Sequence, residues 1–141
     1  MLMGVVDPIE RNRRRRMETS AVVRPFVANV RGNWWRIESP VTRGFPDIVG
    51  AYRGAAAFVE CKHARLASSV GVSRDQQRML AILPRSWVFA LISGRYVLIR
   101  GSDPMIRAGT WIPVISFCAR SACRSDWSEL SSVIWGDSCP E

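Results

Sequence analysis

The sequence predicts an α/β fold in which helices flank a mixed central β-sheet. Three observations carry this prediction: a helical apolar stripe near the N-terminus, several short strand-like runs, and one capped helix between two of those runs. Strands interrupted by a helix in this way are typical of a mixed sheet with helices packed on it. At 141 residues, 48% of them apolar, the chain fits one domain with its own core.

The first predicted element is a helix over about residues 10–30. Pro25 lies inside it and is expected to bend or divide the helix, because proline lacks an N–H and its ring clashes with the preceding turn. The apolar stripe consists of Val22, Val23, Phe26, Val27 and Val30.

Three strands are predicted next. The run WWRIES, residues 34–39, is rich in aromatic and β-branched residues and ends at a turn containing Pro40. Two further strands, about 46–52 and 56–62, are joined at Arg53 and Gly54.

Side-chain alternation in the strand over 56–62 places two charged residues together. Phe58, Glu60 and Lys62 share one face, and the residues between them share the other. Glu60 and Lys62 therefore point into the same space.

A second helix is predicted to begin at Ser73 as its N-cap, with Gln76 at the capping-box position, and to end before Pro84. The run SWVFALI is too continuously apolar for an edge strand, so residues 87–92 are predicted to form a buried central strand. After a short turn, residues 96–100 form the next strand.

The C-terminal segment, residues 101–141, is predicted to be an extension packed on the core or at a dimer interface. Within it, residues 111–117 suggest a strand and residues 125–135 a short capped helix. Three tryptophans of this segment fit burial within the monomer better than subunit pairing: Trp111, Trp127 and Trp135.

The net charge of +8 and a pI near 10.6 favour a polyanionic partner, above all nucleic acid. The densest charge run is RNRRRR at residues 11–16, in a basic arm over residues 1–16. This arm fits either a disordered, solvated segment or a DNA-contacting face. No apolar run approaches the ~20 residues of a spanning helix, so no membrane partner is expected. A cytoplasmic, intracellular location follows from the same pattern and from the lack of a signal peptide.

The four cysteines do not suggest a metal site. Cys118 and Cys123 form one close pair, but no second pair follows, and the only histidine is remote from them in sequence. Reduced thiols are expected for an intracellular protein.

Two carboxylates and the only lysine of the chain carry the predicted chemistry. Asp47 and Glu60 lie on neighbouring predicted strands, and Lys62 follows Glu60 by two residues. Mg²⁺ prefers oxygen ligands and retains several waters, so Asp47, Glu60 and the backbone carbonyl of Cys61 would suffice to bind it. Mn²⁺ accepts the same ligands. The metal would activate a water, and Lys62 would orient that water or stabilise charge on a phosphate.

The motifs around these residues resemble those of the PD-(D/E)XK nuclease superfamily. They are Pro46-Asp47, Glu60-Cys61-Lys62, and the segment Ser73-Arg74-Asp75-Gln76. The pattern is similar to the VRR-NUC branch, except that Arg43 directly precedes the glycine before the PD motif. The resemblance covers roughly residues 16–100, and the nuclease core is placed at 10–100.

This resemblance implies a restriction-endonuclease-like core and divalent-metal-dependent cleavage of DNA, with Mg²⁺ or Mn²⁺ as cofactor. Small stand-alone members of the branch, often from phages, resemble dimeric junction resolvases. A structure-selective homodimer acting on branched, Holliday-junction-like DNA is therefore expected, in a bacterial or phage-infected cell. The implied catalytic residues are Asp47, Glu60, Lys62 and Gln76, with Glu18 as a further metal ligand. The arginines expected to bind DNA are Arg13, Arg14, Arg15, Arg16 and Arg43.

Each assignment has a simpler alternative at this stage. Asp47 fits an Asx-turn, Glu60 and Lys62 fit an exposed ion pair, and Gln76 fits a capping box alone. Glu18 could pair with Arg14 on the first helix. The whole chain could also be a basic nucleic-acid-binding protein without catalysis.

Trp34 and Trp35 offer aromatic rings that could stack on splayed bases. An adjacent pair on a strand usually sends one ring into the core.

Overall fold

The computed structural model describes residues 8–37 and 42–136. It contains a six-stranded mixed sheet with helices packed on both faces, which confirms the predicted α/β class. The strands are β1 (Asn33–Arg36), β2 (Ile48–Tyr52), β3 (Ala55–Ala64), β4 (Ser86–Ile92), β5 (Arg95–Arg100) and β6 (Ile115–Cys118). The helices are α1 (Pro8–Glu18), α2 (Arg24–Asn29), α3 (Arg74–Ile82) and α4 (Arg124–Trp135).

The strands lie side by side in sequence order, from β1 at one edge to β6 at the other. Every neighbouring pair is antiparallel except β3 and β4, which are parallel. A parallel pair needs a crossover connection, and α3 lies in this one. The first turn of α3 is thereby brought back over the sheet.

The predicted elements are present, with shifted boundaries. The first helix spans α1 and α2, joined without a break by a π-helical segment at Thr19–Val23. The strand predicted at 111–117 occupies Ile115–Cys118 instead, where it pairs with β5. The predicted turn at Pro40, residues 1–7 of the basic arm and residues 137–141 lie outside the described residues.

Pro25 does not divide the first helix, and the π-helical segment immediately before it shows how the chain adapts. Proline has no N–H to donate to the carbonyl of Ala21, four residues earlier. The Tyr96 hydroxyl of β5 donates to that carbonyl instead, at 3.1 Å. The π-helical bond from the Arg24 N–H to the Thr19 carbonyl marks the local widening of the helix.

Both predicted hairpin turns have the backbone that two-residue loops require. Arg53 and Gly54 have φ values of 50° and 80°, and Ser93 and Gly94 have values of 50° and 78°. Positive φ at both central residues is the pattern of a type I′ turn, which matches the twist of the flanking strands.

Side chains alternate along β4 between two separate cores. Trp87 and Phe89 join a core formed with the first helix and α4, whereas Val88 and Ala90 join a core formed with α3. Of the C-terminal tryptophans, Trp127 and Trp135 are both buried in the first core, and Trp111 packs partly buried against the core formed with α3.

No helix within residues 8–37 and 42–136 has both the length and the apolar character needed to cross a membrane.

Candidate active site

Asp47 lies immediately before β2, where that strand stops covering its neighbour. β2 begins with Ile48 opposite Val59, so β3 continues past it. The Asp47 carboxylate fills the gap: its Oδ2 accepts a hydrogen bond from the backbone N–H of Cys61 at 2.9 Å. The backbone carbonyl of Asp47 accepts from Ile37 at 2.8 Å. Asp47 thus bonds to β3 through its side chain and to the residue after β1 through its backbone, instead of forming a local Asx-turn.

Glu60 is a buried carboxylate on the α3 face of β3. Its residue is 3% exposed, and it pairs in register with Val88 of the α3-side core. Its Oε2 accepts from Gln76 Nε2 at 2.9 Å and lies 3.2 Å from Lys62 Nζ. Its Oε1 is buried with no hydrogen-bond partner among the described residues. Burying a carboxylate oxygen without a partner is costly, so a ligand at this oxygen would remove a penalty.

Gln76 joins the helix start to the two charged residues. Its side chain closes the predicted capping box, with Oε1 accepting from the Ser73 N–H at 3.0 Å. The same Oε1 accepts from Lys62 Nζ at 3.2 Å, and Nε2 donates to Glu60. The capping role and the contact with the acidic site are therefore both present in one side chain.

The lysine and glutamate of the E-x-K motif do not form an exposed ion pair. Their side chains are 16% and 4% exposed, respectively. A pair this deeply placed is screened much less by solvent than a surface pair. The two contacts of Lys62 use two of its three N–H donors.

The electrostatics of the site favour a bound cation. Burial, together with the negative charge of Asp47, raises the pKa of Glu60 from 4.5 to about 8. Burial also raises the pKa of Asp47, although the Cys61 N–H and the charges of Lys62 and Arg36 act against that rise. The charge of Asp47 opposes ionisation of Glu60, whereas a side-chain hydrogen bond with Glu60 lowers the pKa of Asp47. A desolvated carboxyl pair of this kind is stabilised by a shared proton or by a cation.

The residues present fit Mg²⁺ or Mn²⁺. Within the described ranges no group of three or more His, Cys, Asp or Glu side chains is arranged to bind a metal, so the protein ligands would be two carboxylates and backbone oxygen. The N–H and C=O of one strand residue point to the same edge. The Cys61 carbonyl therefore opens toward the edge where Asp47 lies. Burial and the neighbouring carboxylates raise the pKa of the Cys61 thiol, so its sulfur is not offered as a ligand.

Gly44 holds the loop that carries Asp47 against the start of α3. It has a φ of +79°, and a Cβ at this position would lie 2.4 Å from the carbonyl carbon of Asp75 and 2.5 Å from the nitrogen of Gln76. Those are backbone atoms, which cannot rotate away. A side chain at Gly44 would therefore push the loop that carries Asp47 away from the start of α3.

The remaining predicted residues lie around this cluster. Glu18 ends α1, and its negative charge contributes to the raised pKa of both Glu60 and Cys61. Its role as a metal ligand stays a prediction. Arg13 and Arg16 are exposed on α1, and Arg43 is exposed in the loop before Gly44. The side chains of Arg14 and Arg15 lie outside the described part of the structure.

Arg36 is a site neighbour that sequence reasoning missed. Its charge lowers the pKa of both Asp47 and Cys61, and its guanidinium donates to Thr19 Oγ1 at 2.8 Å. The residue lies in the WWRIES run, but nothing in that run indicates that β1 pairs beside Asp47. The register of β1 on β2 is the signal that was missing.

Comparisons of the chain with protein-family models, curated proteins and solved structures found no match.

Proposed function

We propose that this chain is a divalent-metal-dependent DNA endonuclease built on a restriction-endonuclease-like core. One observation carries the proposal: the buried, partnerless Oε1 of Glu60 lies in a site shared with the Asp47 carboxylate and bordered by Lys62. An unpartnered carboxylate oxygen beside a second carboxylate is a place where a cation could bind. The resemblance to PD-(D/E)XK motifs supports the same chemistry.

In this proposal Asp47, Glu60 and the Cys61 carbonyl hold the metal. When bound, Mg²⁺ or Mn²⁺ would lower the pKa of a water and neutralise charge on the phosphate. Lys62, held by Glu60 and Gln76, keeps a third N–H donor that would be available to a water or to a phosphate oxygen. Gln76 acts by holding both charged partners in place.

The proposed substrate is branched DNA, and the proposed active form is a homodimer. The net charge of +8 and the exposed arginines favour binding to phosphates of any sequence. A two-fold symmetric junction would be cut symmetrically by two copies of the same site.

The test is a gel assay with labelled four-way junction, matched duplex and single strand, each with Mg²⁺, Mn²⁺ or EDTA. Metal-dependent nicking of the junction is expected. Asp47→Asn keeps an oxygen for the Cys61 N–H, and Glu60→Gln keeps the shape of its side chain, so both should fold and bind DNA without cutting it. Glu129→Gln, at an exposed carboxylate on α4, is the matched control and should cut normally. Unchanged cleavage by both site variants would refute the proposal.

A second candidate is a nucleic-acid-binding protein without catalysis. The observation that favours it is the exposure of Arg13 and Arg16 on α1, close to further arginines. It predicts binding that is independent of metal and falls steeply with salt, and no product in any lane of the same assay.

A further inference from the structure

The two adjacent tryptophans of β1 have different environments. Trp34 packs against Phe26 and Trp135, with ring centroids 4.8 and 5.5 Å away, and its Nε1 donates to the Val30 carbonyl. Trp35 points to the opposite face of the sheet and is 54% exposed. The alternation predicted for such a pair is therefore present, and the exposed member is identified.

Trp35 lies on the same face of the sheet as Glu60. Trp35 pairs with Val49, Val49 pairs with Phe58, and directly paired residues in antiparallel strands share a face. Phe58 and Glu60 share that face because they are two residues apart on β3. The ring of Phe45, in the loop before Asp47, contacts Phe58 edge-on at 6.0 Å. An aromatic and apolar surface thus extends from the carboxylates to the exposed indole.

The separation suits a nucleotide strand. Trp35 is opposite Val49, which is two residues from Asp47. With a rise of ~3.4 Å per residue and a strand spacing of ~4.8 Å, the Cα atoms of Trp35 and Asp47 are about 8 Å apart. Two steps of a stacked strand, at ~3.4 Å each, cover nearly the same distance. A base one or two nucleotides from the scissile phosphate can therefore reach the indole.

The chemistry of the surroundings identifies the occupant. An indole stacks on the flat face of any base, but that face is available only when the base is unpaired or splayed out. The net charge of +8 and the exposed Arg43, two positions before Phe45 in the sequence, favour a polyanionic chain over an acidic or apolar small molecule.

We propose that Trp35 is a stacking platform for an unpaired DNA base next to the scissile phosphate. The inference rests on the proposed nuclease function and gives it a substrate class: DNA in which the strand leaves the duplex near the cut. Trp35 would thereby contribute selectivity for DNA structure, while the carboxylates carry out the chemistry.

The test measures DNA binding in EDTA, so that the DNA is not cleaved during the measurement. Fluorescence anisotropy gives the Kd of a forked duplex, a matched duplex, and a fork whose single-stranded arm carries abasic sites. Wild-type protein should prefer the fork with bases over the abasic fork by at least about 5-fold, the lower end for one base stacked on an aromatic ring. Trp35→Ala should lose that preference, and Trp35→Phe should keep part of it. Ile112→Ala is the control, because it also removes a strongly exposed apolar side chain, which is 80% exposed.

The loss of binding free energy from Trp35→Ala and the loss from the abasic arm should not add. If the arm base stacks on Trp35, removing the base from the DNA and the ring from the protein costs no more than removing either one. Equal affinity of the wild-type protein for the two forks, or a full preference retained by Trp35→Ala, would overturn the proposal. Failure of the nuclease function would appear separately, as this binding pattern without cleavage in the Mg²⁺ assay.

Discussion

Replacing Glu60 by glutamine is expected to stabilise the metal-free protein by an amount that grows with pH. The pKa of Glu60 rises from 4.5 in its ordinary state to about 8 in the folded protein. Between these values the folded state keeps a proton that the unfolded state has released, so the free energy of unfolding falls as pH rises. One pKa unit corresponds to about 1.4 kcal/mol. The full shift therefore removes about 5 kcal/mol of stability by the time the pH passes the folded pKa.

The assay is urea denaturation followed by tryptophan fluorescence in EDTA, at pH 5.5 and at pH 8. Glutamine cannot ionise, and its amide oxygen still accepts from Gln76 and Lys62. The stability difference between variant and wild type should therefore grow by about 3 kcal/mol over this pH interval. Part of the slope remains in the variant, because the pKa of Asp47 is raised as well. Glu129→Gln, at an exposed site, should show the same difference at both values. A constant difference for Glu60→Gln would refute the argument from burial.

Repeating the denaturation with Mg²⁺ in place of EDTA separates the effect of burial from the effect of metal binding. A cation that binds only the folded state at 100 times its Kd stabilises it by about 2.7 kcal/mol. At pH 8 the wild-type protein should regain stability in Mg²⁺, and the glutamine variant should not. A dependence of stability on pH without a response to Mg²⁺ would support the burial of Glu60 and would contradict the metal site.

Five further substitutions, two of them matched controls, test how the site and the first helix are held. Gln76→Glu keeps an acceptor for the helix cap but replaces the donor to the buried β3 carboxylate, so cleavage should fall about 10- to 100-fold; Ser73→Ala should instead cost about 1 kcal/mol of stability and spare most activity. Gly44→Ala should lose both cleavage and stability in urea, whereas Gly54→Ala, at a similar φ of +80° but in open space, should lose only about 1–2 kcal/mol. Equal effects of the two alanines would contradict the backbone contact. Tyr96→Phe should cost about 1 kcal/mol in thermal unfolding, because it removes the bond to the helix carbonyl left open by proline; no change in Tm would count against that role.

Local signals were sufficient to predict most of the fold. Side-chain alternation predicted β3, and glycine-containing turns predicted both hairpins. The capping box at Ser73 predicted the start of α3. These features depend on residues a few positions apart. The predictions that needed revision depend on distant contacts: the π-helical segment before Pro25 coincides with a bond from Tyr96 of β5, and β6 is defined by pairing with β5.

The same division applies to the site. The sequence indicated Asp47, Glu60, Lys62 and Gln76 by spacing, but not that Glu60 would have a partnerless oxygen. It also could not choose between Trp34 and Trp35. That choice is made by the first helix and α4, which supply Phe26 and Trp135 to pack on one of the two rings.

Backbone geometry alone explains the spacing of residues within the site motifs. Lys62 follows Glu60 at an offset of two positions because a strand returns to the same face every second residue. Gln76 follows Ser73 at an offset of three positions because a helix cap pairs with the third helical position. The crossover between the parallel strands β3 and β4 then brings that cap to the E-x-K pair, and Gly44 brings the Asp47 loop to the cap. The spacing within each motif is set by local backbone geometry. The carboxylate site forms because the strand order of the sheet brings these motifs together.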